Sequence, residues 1–408
     1  MRQSRLAMTE GRSRWLSGNV FFLGLVSLLS DASHEMATAI LPFFITSQLG
    51  YSAAIFGLIE GISDGSSSFV KPFAGYLSDR LGRRKPPIDL GYALTGILIP
   101  MIGVASNWVQ VVALRAGGWM GRGIRGGPRD AMLADSVSPS FHGRAFGFHR
   151  AMDTIGATVG PSIALLLIPL IGYREIFYLT AVPGVAAIVI VLIFVKDAKR
   201  KSLKGDPPGK SGFITSISSV PRTFKLFLVG VGIFGISNFA NTLFALRAYQ
   251  LLEPVWGPLE ASLIAVALYT FLNAIYAASS FPMGRLGDRY QKRKLLSLGY
   301  LVNAVATLGF AFAGADLLTL GILFAAVGLQ IAIVDTIEAA YAAELLPETL
   351  RGTGYGSLHA INGLGDFASS SIVGALWSFF SPMTAFAYSS ALSFVACIAL
   401  LHFTAKAR

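Results

Sequence analysis

The sequence predicts an all-α integral membrane protein of twelve transmembrane helices, arranged as two pseudo-symmetric six-helix bundles. Three observations predict it: apolar windows recur from end to end, the second half repeats the first, and basic residues gather in alternate connections. Hydrophobic residues make up 53% and charged residues 13% of the chain, against about 25% charged in an ordinary soluble domain. Each window is long enough to cross a hydrocarbon layer about 30 Å thick. The single cysteine, Cys397, leaves no disulfide framework or cysteine metal site. The net charge of +11 lies almost entirely in short connections between apolar segments, the distribution of a membrane protein rather than of a nucleic-acid binder.

The repeat is read from the stretch Gly75 to Lys85, Gly-Tyr-Leu-Ser-Asp-Arg-Leu-Gly-Arg-Arg-Lys, which closes one apolar segment and precedes another. A weaker copy runs from Met283 to Lys294, with Gly284, Asp288 and Arg289 standing for Gly75, Asp79 and Arg80. The offset of 209 persists: Asp135 falls on Glu344, Gly143 on Gly352, Gly147 on Gly356, Asp153 on Asn362 and Gly156 on Gly365. A constant register over that length marks a duplication.

The first 16 residues are polar and basic and lack the apolar core and small-residue cleavage site of a signal peptide. They are expected to stay cytoplasmic. Twelve spans follow, at 17–47, 53–79, 87–106, 108–135, 143–172, 176–195, 223–252, 258–285, 293–314, 316–343, 350–378 and 383–405. The even-numbered connections hold Arg80, Arg83, Arg84 and Lys85, then Arg144, a long basic run, Arg289 with Lys292 to Lys294, and Arg351. The odd-numbered ones hold Arg174 as almost their only basic residue, so both termini belong inside. The expected domains are 1–195 and 223–408, joined by a solvated cytoplasmic linker at 196–222 that is basic enough to lie against an anionic leaflet.

Gly75–Lys85 resembles the loop between the second and third helices of the major facilitator superfamily, and its copy sits where that family repeats it. The run from Tyr173 to Tyr178, followed by Pro183-Gly184, is similar as well. The resemblance spans essentially the whole chain. It implies a secondary transporter that works by alternating access. Helices one, four, seven and ten would line a central cavity, and every third helix would face lipid. The charge census agrees: spans three, six, nine and twelve carry almost no charge, and the others carry nearly all of it. In the loop motif Gly75 permits close helix approach, Asp79 can accept hydrogen bonds at a helix end, and Arg80 and Arg83 mark the cytoplasmic face. The motif is read both as a gate latch and as a topology anchor.

A charge at membrane depth is a functional hypothesis by default. Span one carries Asp31, His34 and Glu35 on one helix face. Such a set suits proton or substrate binding, structural pairing, or, least of the three, a divalent metal. Span two carries Glu60, Asp64 and Lys71, read as a proton relay or as pairing between helices. Span four is basic, with Arg115, Arg122, Arg125 and Arg129. Arg115 stands where the family's fourth-helix arginine lies and is expected to partner the span-one acids. Arg125 and Arg129 are expected at the cytoplasmic gate with Asp79 or Asp135.

Span five holds His149 and Asp153, four apart, and then Gly156, Gly160 and Pro161 in a GxxxGP motif similar to one associated with the family's antiporters. That motif suits close packing and a kink. His149 and Asp153 are read as sharing a proton or as a packing pair. Span seven offers Asn238, Asn241 and Arg247, and Asp335 and Glu338 on span ten are the leading acids of the second half. Phe234, Phe239, Phe244, Tyr269 and Tyr276 are candidates for the wall of an amphiphilic pocket, with packing the expected role of most phenylalanines.

No nucleotide-binding or hydrolase motif occurs, so the chain is not read as an enzyme, and no cofactor or resident metal is expected. Energy is expected from a proton gradient. The partners are then protons, a small-molecule substrate and the lipid bilayer of a cell membrane, such as a bacterial inner membrane, with the protein acting as a monomer. Export of small organic or amphiphilic compounds by proton antiport is the leading expectation. Proton-coupled uptake of an organic anion or metal chelate is the alternative, and a non-transporting sensor on the same fold is the third.

Overall fold

The computed structural model describes residues 16–81, 83–137, 142–197, 221–346 and 351–403. Among these there are helices and no strands. The helices are α1 (Gly18–Phe43, continued by a π turn, Phe44–Gln48), α2 (Ala53–Leu81), α3 (Lys85–Met101), α4 (Trp108–Asp135), α5 (His142–Leu179) and α6 (Ala181–Phe194). They continue as α7 (Arg222–Gly235), α8 (Thr242–Trp256), α9 (Pro258–Arg289), α10 (Lys292–Phe312), α11 (Leu317–Leu345), α12 (Arg351–Phe379) and α13 (Pro382–Phe403). The expected twelve spans are all present: α7 and α8 together make the seventh, and α5 runs through the fifth into the start of the sixth.

Sequence sets the helix ends. Pro86 and Pro87 fill the first turn of α3, where a missing amide hydrogen costs nothing. Gly172, at φ 82°, breaks α5 between the fifth and sixth spans, a conformation that glycine adopts without a Cβ clash. Asp316 caps α11 by accepting from the Thr319 amide at 2.7 Å, and hydrogen bonds from Thr319 hold its carboxyl below the usual carboxylate range.

Among the described residues, seven helical stretches are long and apolar enough to cross a membrane by length and composition. The spans outside that set are α2, α4 and α12, which are polar or charged along their length, and the divided α7–α8. Large apolar side chains such as Leu166, Leu318 and Phe379 are 72–80% exposed. In water such exposure would be costly; on a transmembrane helix it is the lipid-facing surface.

Contacts group the chain into two units, one of 1–40 with 69–205 and one of 41–68 with 206–408. The end of α1 and the first half of α2 group with the second unit. There Ser47 donates to the Tyr249 hydroxyl at 3.0 Å, and the Ala54 amide donates to Ser378 at 2.8 Å.

In the first unit, Val20, Leu23 and Val26 of α1 pack with Ile88 and Tyr92 of α3, Met132 and Leu133 of α4, and Val191 of α6. In the second, Phe227 and Phe234 of α7 pack with Tyr300 of α10, Ile337 and Tyr341 of α11 and Leu400 of α13. Small residues set the closest approaches, as is usual between membrane helices. A Cβ on Gly156 would strike the Leu28 carbonyl, and one on Gly160 the Ala32 carbonyl, so α5 lies backbone to backbone on α1. Gly365, the repeat partner of Gly156, plays the same part on α12, where an added Cβ would lie 2.7 Å from Gly235 Cα of α7. The duplication is thus visible in the packing.

Gly121 tests this arrangement. An alanine Cβ there would meet the Gly91 carbonyl at 2.6 Å and Leu94 Cβ at 2.9 Å. Overpacking of this kind costs about 1–3 kcal/mol, so Gly121→Ala should lower the melting temperature of purified protein in detergent. Gly126→Ala, whose Cβ would meet nothing within 4 Å, should leave it unchanged.

Candidate functional site

In the first unit, α1 and α4 run antiparallel. The start of α1 meets the end of α4, where Asn19 Nδ2 donates to Ser136 Oγ at 3.3 Å. At 1.5 Å per residue, Asp31 lies about 20 Å from that end and Arg125 about 15 Å, whereas Arg115 lies about 30 Å away. Depth therefore matches Asp31 to Arg125, and their charged atoms stand 3.8 Å apart, with both side chains largely buried. Arg125, expected at the gate, is thus the arginine that meets Asp31. Spacing along one helix fixes a face, but depth against a neighbour decides the partner.

The Arg125 guanidinium also lies 4.2 Å from the centre of the Tyr92 ring and donates to Thr95 Oγ1 at 3.1 Å. Thr95 in turn donates to the carbonyls of Gly91 and Gly118. Arg125 is thereby fixed by α3 as well as by Asp31.

His34 is fully buried. Its Nδ1 lies 2.9 Å from the Ser30 carbonyl and 3.5 Å from Asp31 Oδ1. A carbonyl only accepts, so Nδ1 carries a proton. Nε2 lies 3.2 Å from Glu35 Oε1. In a neutral imidazole that nitrogen bears a lone pair, and so does an ionised carboxylate oxygen. The two atoms are close but not aligned for a hydrogen bond, and a proton on either would relieve their repulsion. Asp31, His34 and Glu35 thus form a continuous titratable chain on one face of α1. No group of three ligating side chains among the described residues is disposed to hold a metal ion.

Trp119 organises the opposite wall. The Arg115 guanidinium lies 4.0 Å from its ring centre, that of Arg122 lies 5.0 Å away, and His34 meets it edge-on at 5.7 Å. Arg115 is 1% exposed. Arg122 is half-buried, and no carboxylate among the described residues lies within 4.0 Å of it. Cation–π contacts of this kind strengthen when desolvated. The sequence reading missed Trp119, Tyr92 and Thr95. The available signal was Trp119 itself, four residues after Arg115 and three before Arg122, within same-face helical reach of both.

Asp153 on α5 accepts a short hydrogen bond from Ser27 of α1 and lies 3.6 Å from Arg150. No hydrogen bond joins it to His149, which is 4% exposed, though the two lie within electrostatic reach of each other. Gly156 and Gly160 form the α1 contact described above, with Pro161 directly after them inside the helix. Arg129 donates to Asp130 at 3.1 Å, and Asp135 is met by Arg84 at 3.8 Å. Arg83 reaches Asp197 at 3.4 Å. The side chains of Gly75, Asp79, Arg80 and Asp288 lie outside the described residues. Gly284 sits in α9 against Thr336 of α11, and Arg289 is exposed in the last turn of α9.

In the second unit, Asn362 of α12 donates to Glu338 of α11 at 2.6 Å, and Tyr276 of α9 donates to Asp335 at 2.9 Å. Asp64 is half-buried on α2, and one turn earlier Glu60, 2% exposed, accepts from Thr242 at 3.2 Å. Thr242 opens α8 after a break at 236–241 in the seventh span. Hydroxyls satisfy the freed backbone there: Ser389 donates to the Ser237 carbonyl, Ser369 to that of Asn238, and the Ala240 amide donates to Ser370. Phe239 and Phe244 pack with Phe310 and Phe386, and Phe234 stacks on Tyr300. These aromatics form a core, not a pocket wall.

The model of the Major Facilitator Superfamily matches residues 23–267 and 248–408. The chain belongs to the major facilitator superfamily. An uncharacterized MFS-type transporter of Methanocaldococcus jannaschii, MJ1317, is 35% identical over 401 residues, covering 98% of each chain. The multidrug resistance protein MdtG of Serratia proteamaculans is 26% identical over 302 residues, covering 72% of this chain and 71% of its own. Among solved structures, the nucleoside transporter NupG superposes with a TM-score of 0.79 at 11% identity, over 94% of this chain and 98% of its own. That likeness speaks to the fold alone.

The protein is accordingly a multi-pass membrane transporter of the superfamily that handles a small-molecule substrate, and not an enzyme. Within the first unit, α1 carries the titratable chain and α4 the arginines.

Proposed function

We propose that this superfamily member is a proton-coupled transporter that exports small organic or amphiphilic compounds by proton antiport. The observation that carries the coupling is the cluster of Asp31, His34 and Glu35 on α1, whose neighbouring groups lie 3.2–3.5 Å apart and which Asp31 joins to Arg125. Protonation of Asp31 or Glu35 weakens the hold on Arg125, and that change biases the two halves, 1–195 and 223–408, between outward- and inward-open states. The resemblance to MdtG and the α5 packing motif support export. Both termini and the 196–222 linker are placed at the cytoplasmic face of the cell membrane, with the loop-motif residues at the gate and the protein working as a monomer.

One observation favours a second reading. Arg122, 5.0 Å from the centre of the Trp119 ring and with no carboxylate within 4.0 Å among the described residues, is suited to grip a carboxylate or phosphate. An anion beside Asp31 and His34 would bind together with a proton, which is uptake by symport.

The two readings separate in liposomes that contain a pH dye and are challenged with organic cations, amphiphiles and organic anions. Export predicts proton movement opposite to a cationic or neutral compound. Proton movement in the same direction as an anion, lost in Arg122→Gln, would replace it with the uptake reading.

A further inference from the structure

The repeat register places Glu338 on the position of Arg129 and Asn362 on that of Asp153. In the first unit these positions hold opposite charges within electrostatic reach of each other. In the second unit both charges have been replaced: the arginine position has become an acid and the aspartate position an amide. Glu338 is 6% exposed, and Asn362 Nδ2 donates to its Oε1 at 2.6 Å. The other groups that face it are the Tyr300 hydroxyl of α10 and Asp335 one turn earlier on α11, itself held by Tyr276 of α9. Among the described residues no cationic side chain lies within 4.0 Å of Glu338, and the lysine of the same helix interface, Lys292, pairs with Glu344 instead.

We infer that Glu338 is a second proton-binding site, built into the unit that lacks the α1 acids. An amide donates most strongly to a carboxylate but can also donate to the carbonyl oxygen of a carboxylic acid, so Glu338 can gain a proton on its second oxygen and lose it again with the Asn362 contact kept and no ion pair broken. Asp31 differs, because its protonation releases Arg125. The duplicated helix contact has thus diverged into a charge pair in one half and a neutral-tolerant acid in the other. Asn362 positions the carboxyl, and the stack of the Tyr300 ring on Phe234 holds the Tyr300 hydroxyl beside it.

Infrared difference spectra of the purified protein, taken between acid and alkaline pH with no substrate present, test this without reference to transport. The wild type should show a protonated-carboxyl band that is lost in Glu338→Gln and moves in frequency in Asn362→Leu, with Asp31→Asn leaving that band in place. If Glu338→Gln does not fold, the Asn362→Leu shift decides alone. A band unchanged in both variants would overturn the assignment. Because no substrate or gradient is used, failure here leaves the proposal for α1 standing, and failure of that proposal leaves this one standing.

Discussion

Arg125→Gln should destabilise the protein by about 3–5 kcal/mol, the usual cost of leaving one member of a buried ion pair alone. The substitution strands Asp31 at membrane depth and removes both the Tyr92 stack and the Thr95 hydrogen bond. Thermal unfolding in detergent should show a large fall in melting temperature. Adding Asp31→Asn to the same chain should recover about half of the loss or more, because the double variant leaves neither member of this pair stranded without the other. Arg125→Lys keeps the charge but not the planar stack, and should fall between wild type and Arg125→Gln. A double variant no better than Arg125→Gln alone would mean that the stack with Tyr92, and not the pairing with Asp31, secures this arginine.

Gly160→Leu is expected to be more damaging still. The atom that its Cβ would meet is the backbone carbonyl of Ala32, with the Met36 amide 2.9 Å away, and neither can swing aside as a side chain can. The substitution must push α5 off α1, at or above the upper end of the roughly 1–3 kcal/mol typical of overpacking. Gly156→Leu should behave alike through Leu28. Both should reduce the yield of monodisperse protein in size-exclusion chromatography. Gly232→Ala, whose Cβ would make only an ordinary 3.6 Å contact with Ile361, should not.

The membrane architecture was legible in the sequence because it rests on local rules. A span must be apolar over about 20 residues and a cytoplasmic loop must be basic, and both can be counted along the chain. The break in the seventh span was not legible. Residues 236–241 read Ile-Ser-Asn-Phe-Ala-Asn, with neither proline nor glycine. What permits the break is a set of hydroxyls on Ser369, Ser370 and Ser389, more than 100 residues downstream. The acids of α1 were legible for the opposite reason, since a carboxylate inside an apolar run is conspicuous by itself. That Asp31 meets Arg125 was not, because the arginines of α4 look alike along the chain and the contact follows from the antiparallel depth match with α1. Trp119 escaped notice as one aromatic residue among many in apolar spans, although it is the surface on which Arg115, Arg122 and His34 meet.

The central claim is that transport is coupled to protons through the titratable chain on α1. The most direct test is proton flux in liposomes under an imposed pH gradient, comparing wild type with Asp31→Asn, and with binding of the same compound measured in parallel. The predicted result is compound-dependent proton movement in the wild type that falls at least about tenfold in Asp31→Asn, equivalent to 1.4 kcal/mol, while the variant still binds the compound. Undiminished proton flux in Asp31→Asn, or compound transport in the wild type with no proton movement, would contradict it.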